Sequence, residues 1–299
     1  MSTSQKLAFI GLGVMGGPMA GHLARAGYSV TVYNRSPQRA AKWKDIWEAQ
    51  ALSVSFAATP ATAASGADIV FTCVGNDEDF GEVTLGEEGV LATMANGALL
   101  VDHTTTSAAK AREVGAVCNA KGVGFIDAPV SGGQAGAENG QLAIMCGGTA
   151  DAMARAEPIM DHYAKAIVHV GPIGAGQTAK MANQMCIAGV LGGLSEAIRL
   201  AQGAGLDLDK TYEAIAGGAA QSWQMDNRWA TMAADEFDFG FAIDWMRKDL
   251  GYALDETKRL GLASPITALV DQFYADVQAQ GGQRLDTSAL ITRLPKSKT

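Results

Sequence analysis

The sequence predicts an α/β chain: a doubly wound, mainly parallel sheet followed by an all-helical domain. Three observations carry that reading. Strand-like and helix-like segments alternate through about the first half, the pattern that lets helices cover both faces of a parallel sheet. A G-x-G-x-x-G turn, Gly11-Leu12-Gly13-Val14-Met15-Gly16, joins the first apolar run to the first helical pattern. Beyond Gly171 the alternation stops, and a long helical pattern from Gln177 to Gly203 opens a region that reads helical throughout.

Leu7 to Ile10 reads as the first strand and Met15 to Ala26 as the first helix. In a turn of this type the first glycine bends the chain and the second lets the backbone approach a pyrophosphate. The third lets the helix pack on the strand. The free N–H groups and positive dipole end of the helix then face the phosphates. Position matters here, because glycine is common in the chain (36 residues) and a motif without a strand before it would mean little. A second strand, Ser29 to Tyr33, returns at the distance a dinucleotide site needs. Further strands follow at Leu52–Phe56, Asp68–Val74, Ala98–Asp102, Gly124–Val130, Ala143–Gly147 and Ile167–Val170. Helical patterns at Ser107–Lys121 and Asp151–Tyr163 separate some of them. The boundary falls in Gly171–Gly176, so residues 1–172 are expected to form a Rossmann-type NADP-binding domain. Residues 173–299 are expected to form a helical domain for substrate and oligomer contacts, punctuated at Gly205, Gly217-Gly218 and Gly261.

The strand ending in Tyr33-Asn34-Arg35-Ser36 lacks the carboxylate that usually accepts the adenosine ribose hydroxyls. A carboxylate would repel a 2′-phosphate, whereas Arg35 would pair with one, and Asn34 and Ser36 can donate to it. The expected cofactor is therefore NADP(H), with NAD(H) as second choice and FAD disfavoured. Arg39 lies one helical turn further on.

A net charge of −8 argues against a nucleic-acid partner. The basic tail Lys296-Ser297-Lys298 is short, and Met1 to Lys6 is polar without the apolar core of a signal peptide. No apolar run approaches the ~20 residues of a bilayer span. Cys73, Cys118, Cys146 and Cys186 form no C-x-x-C pair, and the four histidines no cluster. Buried thiols, no metal and a cytoplasmic location are expected.

Three polar clusters could carry chemistry. Lys180 sits near the start of the long helix, in Gly174-Ala175-Gly176-Gln177-Thr178-Ala179-Lys180, with Asn183 on the same face. Taken alone it could be a lysine snorkelling at a domain seam. Asp127-Ala128-Pro129-Val130-Ser131-Gly132-Gly133 runs from a strand into adjacent backbone N–H groups and a hydroxyl, a seat for a small carboxylate or simply a flexible turn. Trp245-Met246-Arg247-Lys248-Asp249 interrupts an apolar helix with charge and reads, unaided, as a solvated face.

Together these segments resemble the β-hydroxyacid dehydrogenase family over almost the whole chain. Phe9 to Gly16 is similar to its opening signature and Asp127 to Gly133 to its substrate-carboxylate loop. Gly174 to Asn183 is similar to its catalytic helix and Lys248-Asp249 to its C-terminal pair. The resemblance implies Lys180 as the general acid and base, with Ser131, Gly132 and Gly133 on the substrate carboxylate and Asn183 orienting substrate. It also implies that Val74, Thr105 and Lys248 adjoin the cofactor. The activity implied is interconversion of a small β-hydroxy acid and its semialdehyde by a homodimer or homotetramer. Gln184 departs from the Asn common at that position, and Lys-x-x-Asn-Gln looks more like the tartronate semialdehyde reductases. Decarboxylating relatives usually have His at the position of Asn183, and imine-reducing relatives generally lack Lys180. A non-catalytic NADP-binding redox sensor would need neither Lys180 nor Ser131.

Overall fold

A computed structural model describes residues 5–296. Residues 1–4 of the polar N-terminal run, and Ser297 and Lys298 of the basic tail, lie outside the described residues. The chain forms two compact units, divided between Lys180 and Met181.

The first unit follows the order β1 (Lys6–Ile10), α1 (Gly16–Arg25), β2 (Ser29–Tyr33), α2 (Pro37–Glu48), β3 (Val54–Phe56), α3 (Pro60–Ala64), β4 (Ile69–Thr72), α4 (Asp77–Leu85), β5 (Leu99–Asp102) and α5 (Ala108–Ala120). It continues with β6 (Gly124–Asp127), β7 (Val130–Ser131), α6 (Gly133–Glu138), β8 (Leu142–Gly148), α7 (Ala150–Met160) and β9 (Ala164–Gly171). The sheet order is β3-β2-β1-β4-β5-β6-β8-β7, with β9 paired to β8. Strands β1 to β6 are parallel neighbours. Side chains alternate between faces, as a strand's period of two requires. Leu7, Phe9, Val30, Val32, Phe71 and Val101 enter one apolar core, while Ala8, Ile10, Val70 and Leu100 enter a second. Helix starts are locally encoded: the side chains of Thr59, Asn76, Ser107 and Thr149 accept N–H bonds in the first turns of α3, α4, α5 and α7.

The far end of the sheet differs from expectation. The strand expected over Gly124–Val130 breaks into β6 and β7, because Pro129 has no N–H to continue a ladder. There β8 runs antiparallel to both β6 and β7 and parallel to β9. The cysteine expectation also needs correction. Cys118 and Cys146 are buried, their thiols pushed up to about 12 by burial, but Cys73 is half-buried and Cys186 is exposed.

The second unit takes in all but the first turns of α8 (Ala175–Gly203), then α9 (Leu208–Ala216), α10 (Trp223–Ala233), α11 (Ile243–Arg259) and α12 (Pro265–Ala279). Its core gathers Leu191, Ile198, Trp229, Met246, Leu250 and Tyr274. Among the described residues no helix is long and apolar enough to cross a membrane, and no group of three or more His, Cys, Asp or Glu could hold a metal ion.

Strands β5 and β6 end in register on two buried carboxylates, Asp102 and Asp127. Asp102 Oδ1 accepts from Thr72 Oγ1 at 2.7 Å and from the Thr104 N–H at 3.0 Å. Burial pushes Asp102 from its ordinary 3.8 up to about 7, against those hydrogen bonds, and the neighbouring Asp127 charge adds to the rise. The folded state therefore binds this proton more tightly than the unfolded chain. Its contribution is fully present below about pH 4 and is lost as pH rises through 7. Asp102→Asn removes that loss. The melting temperature of the wild type is expected to fall by several degrees relative to Asp102→Asn between pH 5 and pH 8, at about 2–4 °C per kcal/mol for a unit of this size. Calorimetry at both pH values checks this; a constant difference contradicts it.

Candidate active site

The glycine turn between β1 and α1 separates its three tasks physically. Gly11 has φ +98°, and a side chain there would run into the Cys73 carbonyl. One at Gly16 would run into the Gly11 carbonyl, so this glycine sets the approach of α1 to the strand. At Gly13 an added Cβ meets nothing within 4 Å. The packing of the protein does not require glycine at position 13; a ligand approaching the backbone would. Val14 beside it is exposed, whereas Leu12 is buried, and Met15 is the N-cap of α1. These features fit a dinucleotide pyrophosphate.

The segment after β2 is more occupied than its sequence suggests. Asn34 Oδ1 accepts the Leu12 N–H at 2.9 Å, and its Nδ2 donates to the Ser36 carbonyl at 3.2 Å. Asn34 thus holds the glycine turn. Arg35 is 80% exposed, but its Nη1 lies 2.9 Å from Asp79 Oδ1 on α4. Ser36 caps α2 ahead of Pro37, and its hydroxyl donates to Gln38 Oε1 at 3.2 Å. Val74 follows β4, packs beside Gly11 and donates its N–H to Thr104 Oγ1 at 3.0 Å. Thr105 is half-buried in the loop after β5.

Ser131 ends β7, and Gly132 and Gly133 follow with φ +134° and +62°. Both glycines are in conformations L-residues rarely adopt, and the turn they make opens α6.

Lys180 is only 7% exposed. Its helix is fixed at the start by Asp127, whose Oδ1 accepts the Gly174 N–H at 2.7 Å and whose Oδ2 accepts the Gln177 N–H at 2.9 Å. Burial still pushes Asp127 up to about 6, against these bonds. A side chain at Gly176 would strike the Met145 and Asp127 carbonyls, which accounts for glycine there. Gln177 ties the same helical turn to the loop after β5. Its Oε1 accepts the Thr106 N–H at 3.0 Å, and its Nε2 donates to the Thr104 carbonyl at 2.7 Å. Beside this loop, His103 is held neutral, lowered to about 4 by burial, between the Ala128 carbonyl and the Tyr163 hydroxyl.

In the second unit Asn183 Nδ2 donates to Gln184 Oε1 at 2.8 Å, and Gln184 Nε2 donates to Asp249 Oδ2 at 2.7 Å. Lys248 Nζ lies 3.1 Å from Asp249 Oδ1 and over the rings of Trp245 and Tyr252. Arg247 forms a two-pronged pair with Asp271 on α12. The charged segment of α11 is therefore a bonded network and not the solvated face its sequence suggests. Sequence reasoning missed Gln177, Asp79 and Asp249 as partners, since each acts on a residue far away in the chain.

Two family comparisons cover most of the chain. Residues 6–171 match the family described as the NAD binding domain of 6-phosphogluconate dehydrogenase. Residues 174–294 match that described as the NAD-binding domain of NADP-dependent 3-hydroxyisobutyrate dehydrogenase. The chain is 40% identical to a probable 3-hydroxyisobutyrate dehydrogenase-like 1 of Arabidopsis thaliana, covering 98% of this chain and 86% of that protein. It is 37% identical to a 2-hydroxy-3-oxopropionate reductase of Escherichia coli, covering 97% of each. Among solved structures, the Mycobacterium tuberculosis 3-hydroxyisobutyrate dehydrogenase with L-serine superposes with a TM-score of 0.87 at 32% identity, covering 98% of this chain and 99% of that one.

The open space at Gly13 generates a test. Gly13→Ala is expected to leave the melting temperature within about 1 °C, since the added Cβ meets no protein atom within 4 Å, while weakening NADPH binding at least tenfold. Gly16→Ala is expected to lower the melting temperature itself. Thermal scans and fluorescence titration with NADPH separate the two effects.

Proposed function

Because the chain belongs to the 3-hydroxyisobutyrate dehydrogenase family of NAD(P)-dependent oxidoreductases, we propose that it reversibly interconverts a small β-hydroxy acid and its semialdehyde, with NADP(H) preferred. Lys180 carries the proposal. It is a buried lysine whose helix is fixed to the carboxyl edge of the sheet by Asp127 and Gln177. Ligands of open α/β sheets bind at that edge. Two relatives take three-carbon acids by name, 2-hydroxy-3-oxopropionate and L-serine, and a substrate of that size is proposed here.

In this reading a bound nicotinamide supplies the hydride to the aldehyde carbon. Lys180, as an ammonium, stabilises the oxyanion that develops and then gives it a proton; in the oxidative direction it takes the hydroxyl proton. The Ser131 hydroxyl and the backbone N–H groups of Gly132 and Gly133 hold the substrate carboxylate, and Asn183 orients the carbon chain. Residues 11–16, Arg35, Val74, Thr105 and Lys248 serve the cofactor, within a binding domain over 1–172 and a helical domain over 173–299. A homodimer or homotetramer is supported by α8. Its exposed Ala182, Cys186, Val190, Gly193, Ala197 and Leu200 recur at intervals of three and four and form an apolar stripe.

Lys180→Ala is expected to slow single-turnover hydride transfer by about 10²–10⁴-fold while NADPH affinity stays nearly unchanged. A variant within a few-fold of wild type removes Lys180 from the chemistry.

The cofactor preference rests on Arg35. A charge-assisted bond to a 2′-phosphate contributes on the order of 1.5–3 kcal/mol, or about ten- to a hundredfold. Pairing with Asp79 offsets part of this, so the lower end is expected. Arg35→Ala should erase the preference by weakening NADPH alone, measured as kcat/KM with each cofactor. Equal use of NADH by the wild type would refute the NADP assignment and leave that of Lys180 standing.

A further inference from the structure

Three polar groups of Thr104, in the loop after β5, go to three different parts of the first unit. Its N–H donates to Asp102 Oδ1 at 3.0 Å, its hydroxyl oxygen accepts the Val74 N–H at 3.0 Å, and its carbonyl accepts from Gln177 Nε2 at 2.7 Å. Two residues on, the Thr106 N–H donates to Gln177 Oε1 at 3.0 Å. The Gln177 amide therefore bridges the two peptide groups that flank Thr105. Its orientation is fixed by chemistry, since a carbonyl only accepts and a backbone N–H only donates. Gln177 and Thr106 are 0% exposed and Thr104 is 1% exposed, so water cannot stand in for the amide. Beyond the bridge the loop is closed by Asp77, whose carboxylate accepts the Ser107 N–H at 2.8 Å and the Ser107 hydroxyl at 2.6 Å. Half-buried Thr105 sits between these fixed points.

Gln177 stands three residues before Lys180 on α8, so the two side chains leave one face of the helix. Asp127 holds the backbone N–H of Gln177 at 2.9 Å, which keeps that helical turn in place. The Thr105 loop, Gln177 and Lys180 all lie within the first unit.

We infer that Gln177 is a positioning residue that fixes Lys180 and the Thr105 loop in one frame, so that proton and hydride are delivered to the same carbonyl. The inference rests on the function proposed above, in which Lys180 serves the substrate oxygen and Thr105 the cofactor. Hydride goes to the carbon and the proton to the oxygen bonded to it, so an error in the spacing of the two suppliers is felt in the transition state. A misplacement of about 1 Å can cost about a hundredfold. Cofactor affinity is assigned mainly to residues 11–16 and Arg35, and is expected to be largely independent of this strut.

Gln177→Met keeps the length of the side chain without either bond, and Gln177→Asn keeps an amide one methylene short of both groups. Each is made in the wild type and in Lys180→Ala, and assayed below its melting transition. Single-turnover oxidation of NADPH by 2-hydroxy-3-oxopropionate is expected to slow about ten- to a hundredfold, with the Kd for NADPH within about threefold. In the Lys180→Ala background the same substitutions should cost less than about threefold, because the group being aligned is gone. Amide hydrogen exchange in the cofactor-free protein reads the strut directly: Thr106 should exchange at least about tenfold faster in either variant, while the Asp127-bound N–H of residue 177 stays protected. A merely structural role would slow the reaction equally in both backgrounds, and that result overturns the inference. So do an unchanged rate once Thr106 is released, an unchanged Thr106 exchange, a loss confined to NADPH affinity, and failure of both variants to fold. A wild type that leaves NADPH unoxidised, or a Lys180→Ala variant within a few-fold of wild type, overturns the proposed function and this inference with it.

Discussion

The arrangement of the first unit depends on one buried carboxylate. Asp127 ends β6 in the interior, where an isolated charge is strongly disfavoured. It is tolerated because the chain returns, 47 residues later, with a helix start that offers N–H groups from Gly174 and Gln177. The positive end of the α8 dipole adds to the attraction. Burial still outweighs these bonds, since the group lies near 6 rather than in the usual carboxylate range. Glycine at 174 and 176 follows from this contact: the first has φ +91°, and the second leaves no room for a side chain against the Asp127 and Met145 carbonyls. Once the helix start is fixed in this way, the position of Lys180 one turn further on is fixed too.

The same economy of local fixation governs the glycine turn. Gly11 and Gly16 are glycines because protein backbone lies where their side chains would be. Gly13 has no such reason, and its neighbour Leu12 is held by Asn34 through a bond at 2.9 Å. The turn is thus shaped before any ligand arrives, which spares a ligand part of the ordering penalty of binding. Asn34 serves this shape. The amide that replaces the usual strand-end acid therefore has a structural task as well as an effect on charge.

How much of this was legible depended on the range of each interaction. The glycine turn, the alternating strands and Lys180 three residues before Asn183 are local patterns, and the structure contains them at the expected positions. The split of Gly124–Val130 was also local and could have been seen at Pro129. Partners distant in the chain could not. Asp79 lies 44 residues from Arg35, Thr106 lies 71 from Gln177, and Asp249 lies 65 from Gln184. No spacing rule connects such pairs; only the sheet order and helix packing bring them together. Unaided, the charged segment of α11 reads as a solvated face for that reason, since charge on a helix usually faces water unless a distant partner receives it, as Asp271 receives Arg247.

Two carboxylates act on α8, each within its own unit. Asp127 fixes the backbone of its first turn, and Asp249 fixes a side-chain amide two turns later through Gln184. The two tasks differ physically. A backbone anchor determines where Lys180 stands and is indifferent to which polar group it meets. An amide chain ended by a carboxylate determines polarity, because each amide has one donor end and one acceptor end and the acid permits one order. Placement therefore follows from the glycines and the helix start, while the order of the amides follows from the acid at the far end of the chain.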